Sequence, residues 1–176
     1  QQIRVRVRYP YQLNSPARAA DETLMPTPEE LDWHSPDWRR KPPGMIWEDW
    51  QAWDPWLAGP GHAWPRYTYD LELLTQPIPA GERDPAMLKM WLRSTARRID
   101  AVGERDGMYD LFEARRIAGW SAIAQLLGYR DLWLIQYPEA PLGELYLIVE
   151  RADDAIRALA ARKNIRTWAV GEKSAA

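Results

Sequence analysis

A chain of 176 residues is long enough for one domain with a sizeable core and too short for two comfortable ones. Its net charge of −2 disfavours nucleic acid as a partner, because proteins dedicated to nucleic acid are usually clearly basic. No cysteine is present, which excludes disulfides and cysteine nucleophiles, and no apolar run approaches the roughly 20 residues that span a bilayer, so no membrane partner is expected.

Two strands are predicted in the first half of the chain. In residues 3–9, apolar and basic side chains alternate with the period of two that is typical of a strand, and residues 67–75 show the same period. The basic side chains of the first strand would share one face, where they either protect a sheet edge from aggregation or dock on an acidic partner. These side chains are Arg4, Arg6 and Arg8.

Two helices are predicted next. Asp84 is a suitable N-cap and Pro85 a suitable first residue for a helix that would continue to a stop at Gly103. A second helix is predicted over residues 111–127, ended by Gly128. Its start would be a capping box formed by Asp110 and Glu113. The apolar stripe of the first helix comprises Leu88, Trp91, Leu92, Ile99 and Val102.

The last third of the chain predicts three more strands. Residues 132–137 and 145–149 are apolar on both faces, as central strands are, and residues 138–143 would join them as a hairpin-like turn. Asp153 can cap a short helix, and residues 165–170 form the last strand.

These elements define the predicted fold class. We expect one α+β domain over residues 1–176, with a mixed or antiparallel sheet of about five strands and two to three helices on one face. Residues 10–66, the Trp/Pro-rich excursion, would be an irregular arm or loop inserted between the first two strands. The excursion holds ten of the 15 prolines and seven of the 11 tryptophans.

The tryptophans of the excursion must pack on something, since disordered chains are poor in aromatics and seven exposed indoles would form a large apolar surface. They could complete the core of their own domain, lie across a neighbouring subunit, or form a platform on which sugars or bases stack. Residues 29–56 contain seven acidic and three basic residues, so carbohydrate suits the platform better than nucleic acid. The seven are Trp33, Trp38, Trp47, Trp50, Trp53, Trp56 and Trp64.

No catalytic site, metal site or cofactor is predicted. His34 has Asp32 and Asp37 nearby, but this spacing matches no metal motif. The sequence Gly-Trp-Ser-Ala-Ile at residues 119–123 lacks the closing glycine of a nucleophile elbow. The adjacent carboxylates Glu48 and Asp49 leave a small hydrolase as an alternative.

One stretch resembles a known family. Residues 63–75 form an alternating strand that is followed by a proline-containing loop and by the helix start at residues 84–91. This order resembles the strand–loop–helix core of the tail-terminator and tail-completion proteins of tailed phages. The resemblance implies an α+β subunit of a ring at the end of a tail tube, and therefore a virion location.

The leading hypothesis is a non-enzymatic structural or assembly subunit, in the tail or neck of a phage virion. Its partners would be other protein subunits, in a homo-oligomer or a larger assembly. The partner-binding residues would be the seven tryptophans of the excursion together with Arg4, Arg6 and Arg8. The main alternative is a carbohydrate-binding module that uses the regularly spaced Trp47, Trp50, Trp53 and Trp56.

Overall fold

Five strands form a single mixed sheet in a computed structural model that describes residues 26–76 and 84–171. The strands lie side by side in chain order, and the first three are antiparallel, whereas the third, fourth and fifth are parallel. The predicted α+β class with a mixed sheet is confirmed. The strands are β1 (Arg66–Leu73), β2 (Arg97–Arg105), β3 (Met108–Ile117), β4 (Leu142–Arg151) and β5 (Ile165–Ala169).

Helices cover both faces of the sheet. The helices of the described ranges are α1 (Trp47–Ala58), α2 (Pro85–Thr95), α3 (Trp120–Gln136) and α4 (Asp154–Arg162), with 3-10 turns at Pro28–Glu30 and Pro60–Ala63. The third and fourth helices connect parallel strands and lie on one face, as expected when successive right-handed crossovers run in one direction. The first helix packs on the opposite face. None of the helices in these ranges is long and apolar enough to cross a membrane.

Several local signals in the sequence predicted the elements correctly. The Asp84 side chain accepts a hydrogen bond from the Ala86 N–H at 2.9 Å and so caps α2, with Pro85 as the first helical residue. The Asp153 side chain caps α4 in the same way. The strands predicted at residues 67–75, 145–149 and 165–170 correspond to β1, β4 and β5. The strand predicted at residues 3–9, with its three arginines, lies outside the described residues.

The helix predicted from Asp84 to Gly103 is wrong in its second half. The helix ends at Thr95, and Ile99 and Val102 belong to β2, which pairs with β1 on one side and β3 on the other. Hydrogen bonds to two neighbouring strands override the helical spacing of the apolar residues. Gly103 is a strand residue, and a Cβ atom there would lie 2.8–3.0 Å from the rings of the aromatic residues packed over it.

The helix predicted over residues 111–127 begins too early and ends too soon. Its first part is β3, and the helix α3 starts at Trp120 and continues through Gly128. Asp110 caps no helix, because its carboxylate accepts from the Trp64 indole N–H at 2.7 Å and from the Glu144 N–H at 2.5 Å. Glu113, the other half of the predicted capping box, is a fully buried strand residue.

The strand predicted over residues 132–137 is also wrong, because these residues form the last turns of α3, where Trp133 is fully buried. A short apolar run does not distinguish a buried strand from a buried helix. The predicted hairpin-like turn at residues 138–143 is therefore wrong as well, because residues 137–141 connect this helix to β4.

The Trp/Pro-rich excursion is not irregular throughout. Its described part contains α1 and both 3-10 turns, and His34 forms an antiparallel bridge with Tyr67 of β1. Pro55 lies inside the helix α1, which runs on to Ala58. This part of the excursion packs directly on the sheet, where the buried side chains of the helix contact Tyr67, Phe112 and Tyr146.

Candidate functional site

Three tryptophans of the excursion belong to the core of the domain. Trp53 is fully buried, and Trp56 and Trp64 are almost so. Their rings pack against Phe112 of β3 at centroid distances of 5.5, 5.8 and 5.3 Å. Of the three interpretations of the excursion, completion of the domain's own core therefore holds for these residues.

The other tryptophans of the excursion lie at or near the surface. Trp47 is 65% exposed, and Trp33, Trp38 and Trp50 are half-buried. The Trp38 ring stacks on His34 at 4.3 Å, and the Trp33 indole donates to the Pro28 carbonyl at 2.9 Å.

Helical geometry explains why the four regularly spaced tryptophans do not form one platform. A spacing of three residues rotates each side chain by about 60° from the previous one, so four of them spread over half the circumference of a helix. Trp53 and Trp56 point into the core, whereas Trp47, at the first residue of α1, points to solvent. The four rings are therefore divided between two environments.

Four large apolar side chains are exposed where α1 begins and β3 ends. Trp47 and Trp120 are 65% and 69% exposed, and Ile46 and Ile117 are more than half exposed. The last of these isoleucines ends β3, and Trp120 begins α3 three residues later. We call Ile46, Trp47, Ile117 and Trp120 the apolar patch.

Hydrogen bonds that Asp49 accepts bring the start of α1 close to the end of β3. Asp49 lies in the first turn of α1, and its carboxylate accepts from the main-chain N–H of Arg116 at 2.9 Å. The same carboxylate accepts from the Arg115 guanidinium at 3.0 Å. Because both arginines lie at the end of β3, these bonds hold the start of α1 beside Ile117.

At the end of β3, one arginine contacts three acidic side chains. The guanidinium of Arg115 contacts Asp49 of α1, Asp100 of β2 and Glu113 of its own strand. It also donates to the Gln125 side chain of α3 at 3.2 Å. We call Asp49, Asp100, Glu113 and Arg115 the Arg115 network. It joins both layers of helices to the sheet.

Burial sets the protonation state of the Arg115 network. Glu113 is fully buried, and this burial, with the neighbouring Asp100 carboxylate, raises the pKa of Glu113 to about 9 against the opposing attraction of Arg115. Burial also raises the pKa of Asp100, again opposed by Arg115. Glu113 is therefore protonated at neutral pH, which spares the network a third buried negative charge.

The buried Glu113 carboxyl predicts a pH dependence of stability. In the unfolded chain a glutamate has a pKa of about 4.3. The stabilising contribution of neutral Glu113 is thus fully present below that value and is lost as the pH rises towards 9, by up to about 1.4 kcal/mol per pH unit. Glu113→Gln keeps the shape and removes the titration. Urea unfolding at several pH values should show that, between pH 5 and 9, the free energy of unfolding of the native protein falls relative to that of the variant.

The exposed substitution Glu48→Gln on α1 controls for the general effect of removing a carboxylate. Parallel curves for the native protein and Glu113→Gln would contradict the buried, protonated state of Glu113.

The other residues singled out for chemistry are dispersed. His34 lies 3.3 Å from Asp32 and His62 lies 3.8 Å from Asp37. Glu48 is exposed, whereas its neighbour Asp49 is bound by Arg115. Within residues 26–76 and 84–171, no group of three or more His, Asp or Glu side chains is arranged to hold a metal ion.

The Arg115 network and half of the apolar patch were not predicted, because the members that lie on β2 and β3 were assigned to helices. The alternation of the charged residues Glu113 and Arg115 with the apolar residues Phe112 and Ala114 was the available signal for a strand. Comparison with protein-family models, curated proteins and solved structures finds no significant match for this chain.

Proposed function

We propose that the protein is a non-enzymatic assembly subunit that binds a second copy of itself through the apolar patch. The observation that carries this proposal is the pair of tryptophans, Trp47 and Trp120, each with about two thirds of its surface in solvent. Exposed apolar clusters of this kind mark interaction sites, and tryptophan dominates the binding energy of protein interfaces.

The surroundings of the apolar patch suit a contact between identical subunits. Glu48 is exposed beside Trp47, and Arg116 and Arg151 are exposed at the ends of their strands. In a two-fold contact, the same surface of both copies meets, so an acidic residue on one copy can face a basic residue on the other. An apolar centre with a polar rim of both signs fits this arrangement.

A phage virion is the proposed setting of this assembly. Support for it comes from the resemblance of residues 63–91 to tail-terminator and tail-completion proteins. The strand β1 and the helix α2 occur in the expected order in this stretch. A two-fold contact through the apolar patch would pair the subunits, and a ring of a tail or neck would need a second, head-to-tail contact between such pairs.

Two alternative functions have less support from the geometry. A carbohydrate platform of four tryptophans would need all four rings at the surface, and Trp53 and Trp56 are in the core. A hydrolase that used Asp49 would need this carboxylate to reach a substrate, and its oxygens are bound by Arg115 and by the Arg116 N–H.

Removal of the two exposed tryptophans should abolish self-association. The native protein should form a discrete oligomer in size-exclusion chromatography with light scattering across a concentration series. The double variant Trp47→Ser and Trp120→Ser should be monomeric at concentrations where the native protein is not, because truncation of an interface tryptophan costs at least about 2 kcal/mol.

A matched control removes two exposed methionines of α2, Met87→Ser and Met90→Ser, which lie outside the apolar patch. This variant should assemble like the native protein. A native protein that is monomeric at every concentration, or a control that dissociates equally, would contradict self-association through the apolar patch.

A further inference from the structure

An open groove runs along the free edge of the sheet. Its volume is about 890 Å³, and five consecutive residues of the chain line it, residues 164–168, which include most of β5. One wall comes from α4, through Arg157 and Ala161, and the other comes from Trp56 and Trp64. We call this the β5 groove.

The strand that lines the β5 groove has unused main-chain hydrogen-bonding groups. The Val170 N–H donates to the Val149 carbonyl of β4 at 2.9 Å. Main-chain groups point alternately to the two sides of a strand, so those of Ile165, Thr167 and Ala169 face away from β4. In the described part of the chain, no strand pairs with β5 on that side.

Such an edge is a template for another strand. Proteins protect their edge strands with prolines, bulges or inward-pointing charges, and β5 contains one charged residue and no proline. The strand pairs with β4 in an unbroken register from Leu145–Ile165 to Val149–Ala169. A bound peptide could therefore pair along the whole strand, as in other sheets that accept an added strand.

The charge of the β5 groove indicates the chemistry of the added strand. Three arginines and one glutamate line the groove: Arg105, Arg157, Arg166 and Glu144. The glutamate is paired with Arg166, whereas Arg105 lies over the Trp64 ring at 4.3 Å and forms no ion pair with any residue in the described ranges. An acidic segment would therefore be attracted to this groove. Residues 3–9 of a second copy, with three arginines, would be repelled.

We propose that the β5 groove binds an extended acidic segment of a partner protein, which adds to the sheet as a sixth strand beside β5. This site is separate from the apolar patch. The patch lies at the end of β3, whereas the groove lies where β4 and β5 begin, and because these strands are parallel the two sites are at opposite ends of the sheet. Binding in the groove therefore does not depend on self-association.

The probe is a labelled, capped peptide of about seven residues that alternates glutamate and valine, which matches the length of a typical strand. Fluorescence anisotropy with the full chain should show saturable binding that weakens as salt is raised. A peptide that alternates lysine and valine should not bind. An oligothymidylate of similar length tests whether negative charge alone is sufficient, and equal binding of this oligonucleotide would overturn strand addition.

Thr167→Pro removes an outward-facing N–H of β5 and leaves the bonds to β4 in place, because the Thr167 N–H faces away from β4. This variant should bind the acidic peptide about tenfold more weakly, since it blocks main-chain pairing. Arg105→Ser should weaken binding several-fold and reduce its salt dependence.

A second measurement uses the native protein and changes only the peptide, so it does not depend on whether a variant folds. The same acidic peptide with N-methyl groups on alternate residues keeps its charge but loses the donors of one edge, and it should bind about tenfold more weakly in one of its two methylation registers. No saturable binding of the acidic peptide would overturn the proposal. Equal binding of both N-methylated peptides and the parent peptide would overturn it as well.

Discussion

Replacement of Arg115 by methionine should lower the free energy of unfolding by about 3 kcal/mol or more at pH 7. The substitution leaves Asp49 and Asp100 without their shared cation in positions from which water is largely excluded. Removal of one partner from a buried ion network is costly because the remaining charges stay desolvated. Urea unfolding followed by tryptophan fluorescence measures the loss.

The neighbouring substitution Arg116→Met is a matched control. The Arg116 side chain pairs with Glu150 at the surface, and exposed ion pairs contribute only about 0–1 kcal/mol. Its main-chain N–H still donates to Asp49. Burial raises the pKa of Asp100 and Arg115 opposes this rise, so the loss in Arg115→Met should shrink as the pH falls and Asp100 becomes protonated. Equal losses in both variants at pH 7 would show that Arg115 holds no buried network.

Trp53→Ala should have a similarly large effect, about 3–5 kcal/mol. Trp53 is fully buried, and its ring meets Tyr67, Tyr69 and Phe112 edge to face at 5.5, 6.1 and 5.5 Å. Removal of the indole leaves a cavity between α1 and the sheet. The loss of contacts among these rings should also weaken the near-ultraviolet circular dichroism of the native state.

The control for this variant lies on the same helix. Trp47→Ala removes the same side chain from an exposed position and should change the free energy of unfolding by no more than about 0.5 kcal/mol, measured at a concentration where the protein is monomeric. If both substitutions had the same small effect, α1 would not be docked on the sheet in solution. Deletion of residues 30–58 removes α1 and should unfold the domain. Such a deletion therefore cannot separate a role of these residues in assembly from their role in folding.

Local signals in the sequence predicted the elements whose structure depends on neighbouring residues. Asp84 and Asp153 cap helices through their own side chains, and polar and apolar residues alternate along the sequence of β1. Within residues 96–136, only the helix at residues 120–127 was assigned correctly, because the structure of the other segments depends on distant partners. For β2, pairing with strands on both sides decides the conformation, and the spacing of Ile99 and Val102 fits a helix as well.

The sequence predicted the packed tryptophan segment of the candidate site but not the side chains that meet there. Seven tryptophans in one segment indicated that the segment is ordered and packed, but not which rings are buried, since that depends on the rotation of α1 about its axis. The Arg115 network takes its members from α1, β2 and β3, so no spacing in the sequence marks it. Only a correct assignment of β3 would have placed Glu113 inside the domain.

The position of α1 in the chain has a consequence for synthesis. Trp56 packs against Tyr146 of β4, which the ribosome adds roughly ninety residues later. At a synthesis rate of about 5–20 residues per second, the surface that buries the tryptophans of α1 is completed on the order of ten seconds after these residues are added. During this interval the nascent chain exposes an aromatic helix outside the ribosome, so its yield in a cell should depend on chaperones that bind apolar segments near the ribosome exit.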